Sequence, residues 1–325
     1  MDTRVVMLDR QGEPSVLHVV AQEMAGPGPG EVQIKQNVMG LNYMDIYQRS
    51  GAYPLELPSG IGLEAAGVVE EVGAGVDDFL PGQRVAYATA PAGAYAEYRN
   101  MPAGRVVPLP DGVTDEQSAA VLFKGMTVEY LLNRCYPVAS GEQVLFLGAG
   151  GGVGVLAGQW GKALGARMIG VDGGDAKCAL AAASGYETVI DFTDEDVVAR
   201  VKELTAGEGV PVVYDPIGQT TFQQTLDCLA HRGYFVSFGT TSGPVPPVEA
   251  PVLQKRGSLY FTRPTLVTYT EKREDLVASA KSVFAMIETG SIKVEIGQRY
   301  TLDQAAQAHA DMEGGRTKGA SVLIP

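Results

Sequence analysis

The chain has 325 residues, about two domains at roughly 150 residues each, and its 45% hydrophobic and 19% charged residues exclude a disordered chain. Its 25 Lys and Arg against 38 Asp and Glu leave a net charge of −13, which argues against nucleic acid or an anionic membrane as the main partner, because both demand a basic patch. No apolar h-region follows Met1-Asp2-Thr3-Arg4 and no apolar run nears the ~18 residues of a membrane span, so a soluble, cytoplasmic protein is expected.

Residues 1–125 read as β-rich. Arg4–Leu8 is a short apolar strand. Pro27-Gly28-Pro29-Gly30 marks a turn, after which Val32, Ile34, Gln36 and Val38 share one face of a period-two pattern. Gly67–Gly73, Arg84–Tyr87 and Ala94–Tyr98 continue as short strands between Gly and Pro turns, a spacing that predicts a barrel or a strongly curved sheet. From Met126 to Leu132 the spacing turns helical, and from Gln143 strands alternate with helices. The expected order is strand Val144–Leu147, helix Gly152–Leu164 stopped by Gly165, strand Met168–Val171, and a helix ending before Gly185. Strand Val189–Asp191, amphipathic helix Glu195–Leu204, strand Val212–Asp215, a helix through Leu229 and strand Tyr234–Phe238 follow. Five apolar strands alternating with helices predict an α/β, doubly wound parallel sheet, with Ser258–Phe261 as a sixth strand. The remainder reverts to mixed helix and strand. The expected division is 1–125 with 265–325 as one domain and 126–264 as a dinucleotide-binding domain.

Gly148-Ala149-Gly150-Gly151-Gly152-Val153-Gly154 lies between a buried strand and a helix. A pyrophosphate needs this setting: a tight turn, backbone close enough to touch it, and a helix N-terminus facing its charge. The alternative is a merely tight strand–helix turn. Asp172 ends the second strand of the alternating region, where an acid accepts hydrogen bonds from ribose hydroxyls and repels a 2′-phosphate, favouring NADH over NADPH. Lys177 would oppose this by pairing with a phosphate, and Asp172 has the alternative role of a helix N-cap. Phe192 offers no hydroxyl to a phosphate and is either an adenine-stacking or a core residue.

Cys135, Cys178 and Cys228 are odd in number, far apart and without a CxxC pair. They build neither a disulfide framework nor a four-cysteine zinc site. His18, His231 and His309 have no ligand-spaced partners and read as structural or surface residues; Trp160 reads as core.

Motifs along essentially the whole length resemble the zinc-independent quinone oxidoreductases (the zeta-crystallin group) of the medium-chain dehydrogenase/reductase superfamily. They are Gly40-Leu41-Asn42-Tyr43-Met44-Asp45, Gly62-Leu63-Glu64-Ala65-Ala66-Gly67, Gly82-Gln83-Arg84-Val85, Gly93–Tyr98, Lys124-Gly125-Met126-Thr127, the glycine loop, Tyr214-Asp215 and Gly257–Pro264. The resemblance implies a Rossmann domain beside a GroES-like, partly open barrel, and a homodimer. Zinc-dependent members of the superfamily carry Gly-His-Glu where this chain has Gly62-Leu63-Glu64, and a cysteine near Asn42, so no zinc is expected. The acceptor should then be activated by its own conjugation. The implied activity is hydride transfer from NAD(P)H, without flavin, to a quinone or another α,β-unsaturated carbonyl compound. Asn42, Asp45, Tyr47 and Tyr53 are implied at the acceptor, Asn42 and Tyr47 as hydrogen-bond donors and Asp45 as a group fixing Tyr47 or a neighbouring loop. Lys124 and Thr127 are implied at the nicotinamide, Gly151, Gly152, Val153 and Gly154 at the pyrophosphate, and Phe238, Gly239, Arg263 and Arg316 elsewhere along the cofactor. The alternatives are an enoyl or haloacrylate reductase, a non-catalytic dinucleotide-binding protein, and a methyltransferase, which would not account for the N-terminal barrel.

Overall fold

The computed structural model describes residues 2–325, which divide into two compact units: the chain up to Phe123 together with Lys272–Pro325, and Lys124–Glu271.

The second unit is the parallel α/β sheet. Its six strands run in the order Thr188–Asp191, Arg167–Asp172, Gln143–Leu147, Val210–Asp215, Leu229–Ser237, Tyr260–Thr262, every neighbouring pair parallel. Order reverses after the first-entered strand, Gln143–Leu147, and such a switch point opens a crevice at the carboxyl ends of the strands. The near-continuous apolar runs follow from burial on both faces. Leu145, Leu147, Ile169, Ile190, Val213 and Phe235 are all buried in one cluster, and each such side chain stabilises the sheet by about 1.5–3 kcal/mol. Helix Gly152–Ala163 buries Leu156, Ala157 and Trp160, and Gly165, at φ +76°, follows its end.

The first unit contains a three-stranded sheet, His18–Glu23, Asp2–Leu8 and Ser59–Gly60, and a seven-stranded mixed sheet built around Glu31–Gly40 and Glu64–Val72. The C-terminal strand Ala320–Ile324 pairs with Glu31–Gly40 through Val322–Gly40 and Leu323–Met39. Two register shifts interrupt the pairing of Glu31–Gly40 with Glu64–Val72. They bend the strand, so Gln33 and Met39 are buried as well as Val32, Ile34, Gln36 and Val38.

The strand expected at Tyr234–Phe238 starts already at Leu229, the one expected at Ser258–Phe261 spans Tyr260–Thr262, and two further expectations change more. Ala94–Tyr98 is not a strand; extended pairing starts at Tyr98 and runs to Pro102. The alternation before it is a buried, irregular segment whose Gly93 and Ala94 N–H groups donate to the Gly62 carbonyl and whose Tyr95 N–H donates to Ile61. The helix expected from Met126 begins at Asp115 and gives way to a π-helical turn, Tyr130–Cys135. Its start is set by a capping box: the Gln117 N–H donates to the Thr114 hydroxyl (3.1 Å) and the Thr114 N–H to Gln117 Oε1 (2.9 Å).

Candidate active site

In the Lys124–Glu271 unit the strand Gln143–Leu147 ends in Gly148, at φ +69°, and the chain turns into helix Gly152–Ala163 through an extended Gly151 N-cap. No acid lies in the first turn and no side chain caps it, so the N-terminal N–H groups keep their partial positive charge for an outside anion. Gly154 is required sterically. A methyl group there would collide with the Gly148 carbonyl and press on Ala149, because the helix starts directly against the strand end. Beneath it, the buried Tyr186 donates its hydroxyl proton to the Gly154 carbonyl at 2.7 Å.

Asp172 closes the other side of the loop. Its Oδ2 accepts from the Gly150 N–H (2.8 Å) and its Oδ1 from the Gly173 N–H (2.9 Å), while the exposed Lys177 ammonium stands 3.8 Å from Oδ1. Next to it Asp191 accepts from the Thr193 hydroxyl (2.7 Å), the Thr193 N–H and the Gly174 N–H, and these bonds hold its carboxyl down to about 2. The Cys178 thiol is pushed up to about 11, by burial first and then by Asp191, Asp172 and Asp175. Phe192 is exposed and its ring stands directly over the backbone of Gly173.

At the ends of the next two strands, Asp215 is buried and accepts four hydrogen bonds, from the Ile217 and Gly218 N–H groups and the Thr221 and Thr225 hydroxyls. These pin the turn whose Pro216 packs against Gly148 and Gly239. Phe238 donates its N–H to the Asp215 carbonyl, and its ring lies 5.5 Å from Phe146. Arg263 donates to the Ser237 carbonyl at 3.0 Å. Lys124 lies along Gly152, and Thr127 is buried two residues beyond Gly125 on the same helix. Arg316 belongs to the other unit, where it pairs with Asp311 (2.8 Å) and donates to the Ala310 carbonyl.

In the first unit, Asn42 is the extended N-cap of helix Tyr43–Ser50. The Asn42 N–H donates to Asp45 Oδ2 at 2.8 Å, and its Nδ2 donates to Glu64 Oε2 at 2.8 Å. Glu64 is fully buried, and its Oε1 accepts the Phe123 N–H at 2.7 Å. Asp45 Oδ2 also accepts the Tyr95 hydroxyl proton at 2.9 Å. The half-buried rings of Tyr47 and Tyr53 stack at 5.5 Å, held by the Tyr53 N–H on the Tyr47 carbonyl. Asn42, Asp45, Tyr47 and Tyr53 are thus brought together on one helix and the turn after it. Leu63 offers no donor and both Glu64 oxygens are engaged, so this set does not fit a zinc ion. Among the described residues no three His, Cys, Asp or Glu side chains group as metal ligands.

Glu64, Tyr95, Tyr186, Asp191, Asp215 and His309 support these groups without standing out as site residues in the sequence. Glu64, Tyr95 and Asp215 lay within the motifs that carry the family resemblance, whereas nothing local in the sequence marked Tyr186, Asp191 or His309.

The sequence matches "Alcohol dehydrogenase GroES-like domain" over residues 28–111 and "Zinc-binding dehydrogenase" over 152–279. It is 48% identical to a quinone oxidoreductase of Pseudomonas aeruginosa, covering 97% of each chain. A 2-haloacrylate reductase of a Burkholderia species is 37% identical, covering 98% of each. The crystal structure of Escherichia coli quinone oxidoreductase complexed with NADPH superposes with a TM-score of 0.96, at 44% identity, covering 99% of this chain and all of that one.

Proposed function

The chain belongs to the quinone oxidoreductase family of the medium-chain dehydrogenases/reductases, and from that membership we propose that it is an NAD(P)H:quinone oxidoreductase working without zinc and without flavin. The observation that carries this reading is the uncapped glycine turn at the switch point of the parallel sheet, in a chain 48% identical to a quinone oxidoreductase.

Bound NAD(P)H supplies a hydride which, with one proton, converts a quinone to its hydroquinone. The N–H groups of Gly151–Gly154 hold the pyrophosphate, Asp172 the adenosine ribose and Phe192 the adenine face. Lys124 and Thr127 line the nicotinamide half, and Phe238, Gly239 and Arg263 lie elsewhere along the cofactor. Asn42, its amide oriented by Glu64, and Tyr47 donate hydrogen bonds to the acceptor oxygen as it gains charge, and Tyr47 or water gives it the proton. Tyr53 braces the Tyr47 ring, and Asp45 holds the Asn42 backbone. Without a metal donor set, the acceptor's own conjugation has to lower the barrier.

The 37% identity to a 2-haloacrylate reductase favours a second acceptor class, a conjugated double bond served by the same donors. A cytoplasmic homodimer with NADH preferred completes the proposal. It is supported by family membership, three dispersed free cysteines and the acids around Asp172. Light scattering measures the mass of the assembly.

Asn42→Ala and Tyr47→Phe are each expected to lower kcat/KM for p-benzoquinone by roughly ten- to a hundredfold, as loss of a hydrogen bond aimed at developing charge does. Unchanged values in both variants would remove these residues from the reaction.

A further inference from the structure

His309 is fully buried on helix Ala305–Glu313, a costly place for an imidazole. Its Nε2 lies 3.3 Å from the Tyr95 hydroxyl, the rings meet edge-on at 5.8 Å, and its Nδ1 has no protein partner. The direction of the bond follows from the neighbours. Tyr95 spends its single proton on Asp45 Oδ2, so at the Tyr95 oxygen the imidazole is the donor, through Nε2–H. Burial first, and then the nearby buried Arg49 guanidinium, disfavour a positive charge on the ring, which is therefore neutral and donates from one nitrogen only.

Tyr95 is held as tightly as its partner. Gly62 has φ +92°, and a side chain there would run into the Tyr95 ring. The N–H groups of Gly93 and Ala94 both bond to the Gly62 carbonyl, fixing the approach of the segment. Hydrogen bonds then run in one direction, from His309 Nε2–H to the Tyr95 oxygen and from the Tyr95 hydroxyl to Asp45 Oδ2, which also takes the Asn42 N–H. Arg49, on the same helix as Asp45, pairs with Glu313 on the helix of His309, so the two helices are tied at two points.

We propose that Tyr95 and His309 are positioning residues for quinone reduction: together they set the Asp45 carboxylate that fixes Asn42 at the start of its helix. This rests on the reading of Asn42 as the acceptor's hydrogen-bond donor. A buried imidazole with one hydrogen bond is poor packing, whereas a donor that orients a tyrosine hydroxyl gives the burial a purpose.

The test uses the full chain with NADH and p-benzoquinone. Tyr95→Phe and His309→Leu are each expected to lower kcat/KM for the quinone roughly tenfold, while NADH affinity, read by nucleotide fluorescence, stays within about twofold. His309→Gln, whose amide N–H replaces Nε2–H, should recover most of the loss. The double variant should be no worse than either single one, because both interrupt the same chain of bonds. The proposal is overturned if Tyr95→Phe and His309→Leu keep full quinone activity while Asn42→Ala loses it. It is also overturned if quinone activity and NADH affinity fall together, or if His309→Gln is as impaired as His309→Leu. Full activity in Asn42→Ala instead overturns the reading of Asn42, and the positioning role with it.

Discussion

Asp172 shows how one carboxylate serves the fold and its candidate ligand together. Both oxygens are engaged by the loop they border, so the acid is anchored before any ribose arrives. With Asp175 and Asp191 close by, against Lys177 at 3.8 Å, the local charge would oppose a 2′-phosphate. NADH should therefore give the higher kcat/KM, and Asp172→Asn, which keeps an oxygen for the Gly150 N–H, should raise the NADPH to NADH ratio about tenfold. Steady-state kinetics with both nucleotides measure this; a wild-type preference for NADPH would contradict it. Asp172 was legible because an acid ending the second strand after a glycine loop is a local pattern. Its bond to Gly150 was not, since spacing along the chain does not reveal which way a carboxylate turns.

At the scale of elements, the strand–loop–helix unit of residues 143–163 could be read almost to the residue, because apolar run, glycines and helical period follow one another. Gly154→Ala should weaken NADH binding roughly tenfold, since the helix would have to move off the Gly148 carbonyl. Fluorescence titration checks it, and unchanged affinity would mean the turn yields freely. The helix Tyr43–Ser50 is different. Its residues were recognisable as a motif, but what fixes it lies far off in sequence: Tyr95 is 50 residues from Asp45, and His309 a further 214 from Tyr95. Burial, followed by the charge of Arg49, pushes the His309 imidazole down to about 3. Because the unfolded chain takes up this proton near pH 6.5 and the native one refuses it until about 3, stability is lost as pH falls through that window. His309→Gln should remove a slope of up to about 1.4 kcal/mol per pH unit, so its stability relative to wild type should improve by roughly 2 kcal/mol between pH 6.5 and 5. Urea unfolding at the two pH values measures it, and parallel curves would contradict it.

For the whole molecule, the parallel sheet was legible because strands buried on both faces have unmistakable apolar runs, while the mixed sheet was legible only in outline. The bulges in Glu31–Gly40 break its alternation, and the buried irregular segment at Ala94–Glu97 imitates a strand. The capping box at Thr114 was present in the sequence, but its polar first turn, rich in Asp and Glu, hid the helix behind it. The proposed chemistry divides along the same lines, with the glycine turn in Lys124–Glu271 as the candidate dinucleotide cradle and the cluster around Asn42, whose amide bonds to Glu64, as the candidate acceptor donors. The most direct test is the rate of NADH oxidation by p-benzoquinone in enzyme dialysed against a strong chelator, with metal content assayed. The account predicts undiminished turnover, one NADH per quinone, with no gain on adding zinc. Loss of turnover on chelation and its return with zinc would contradict it.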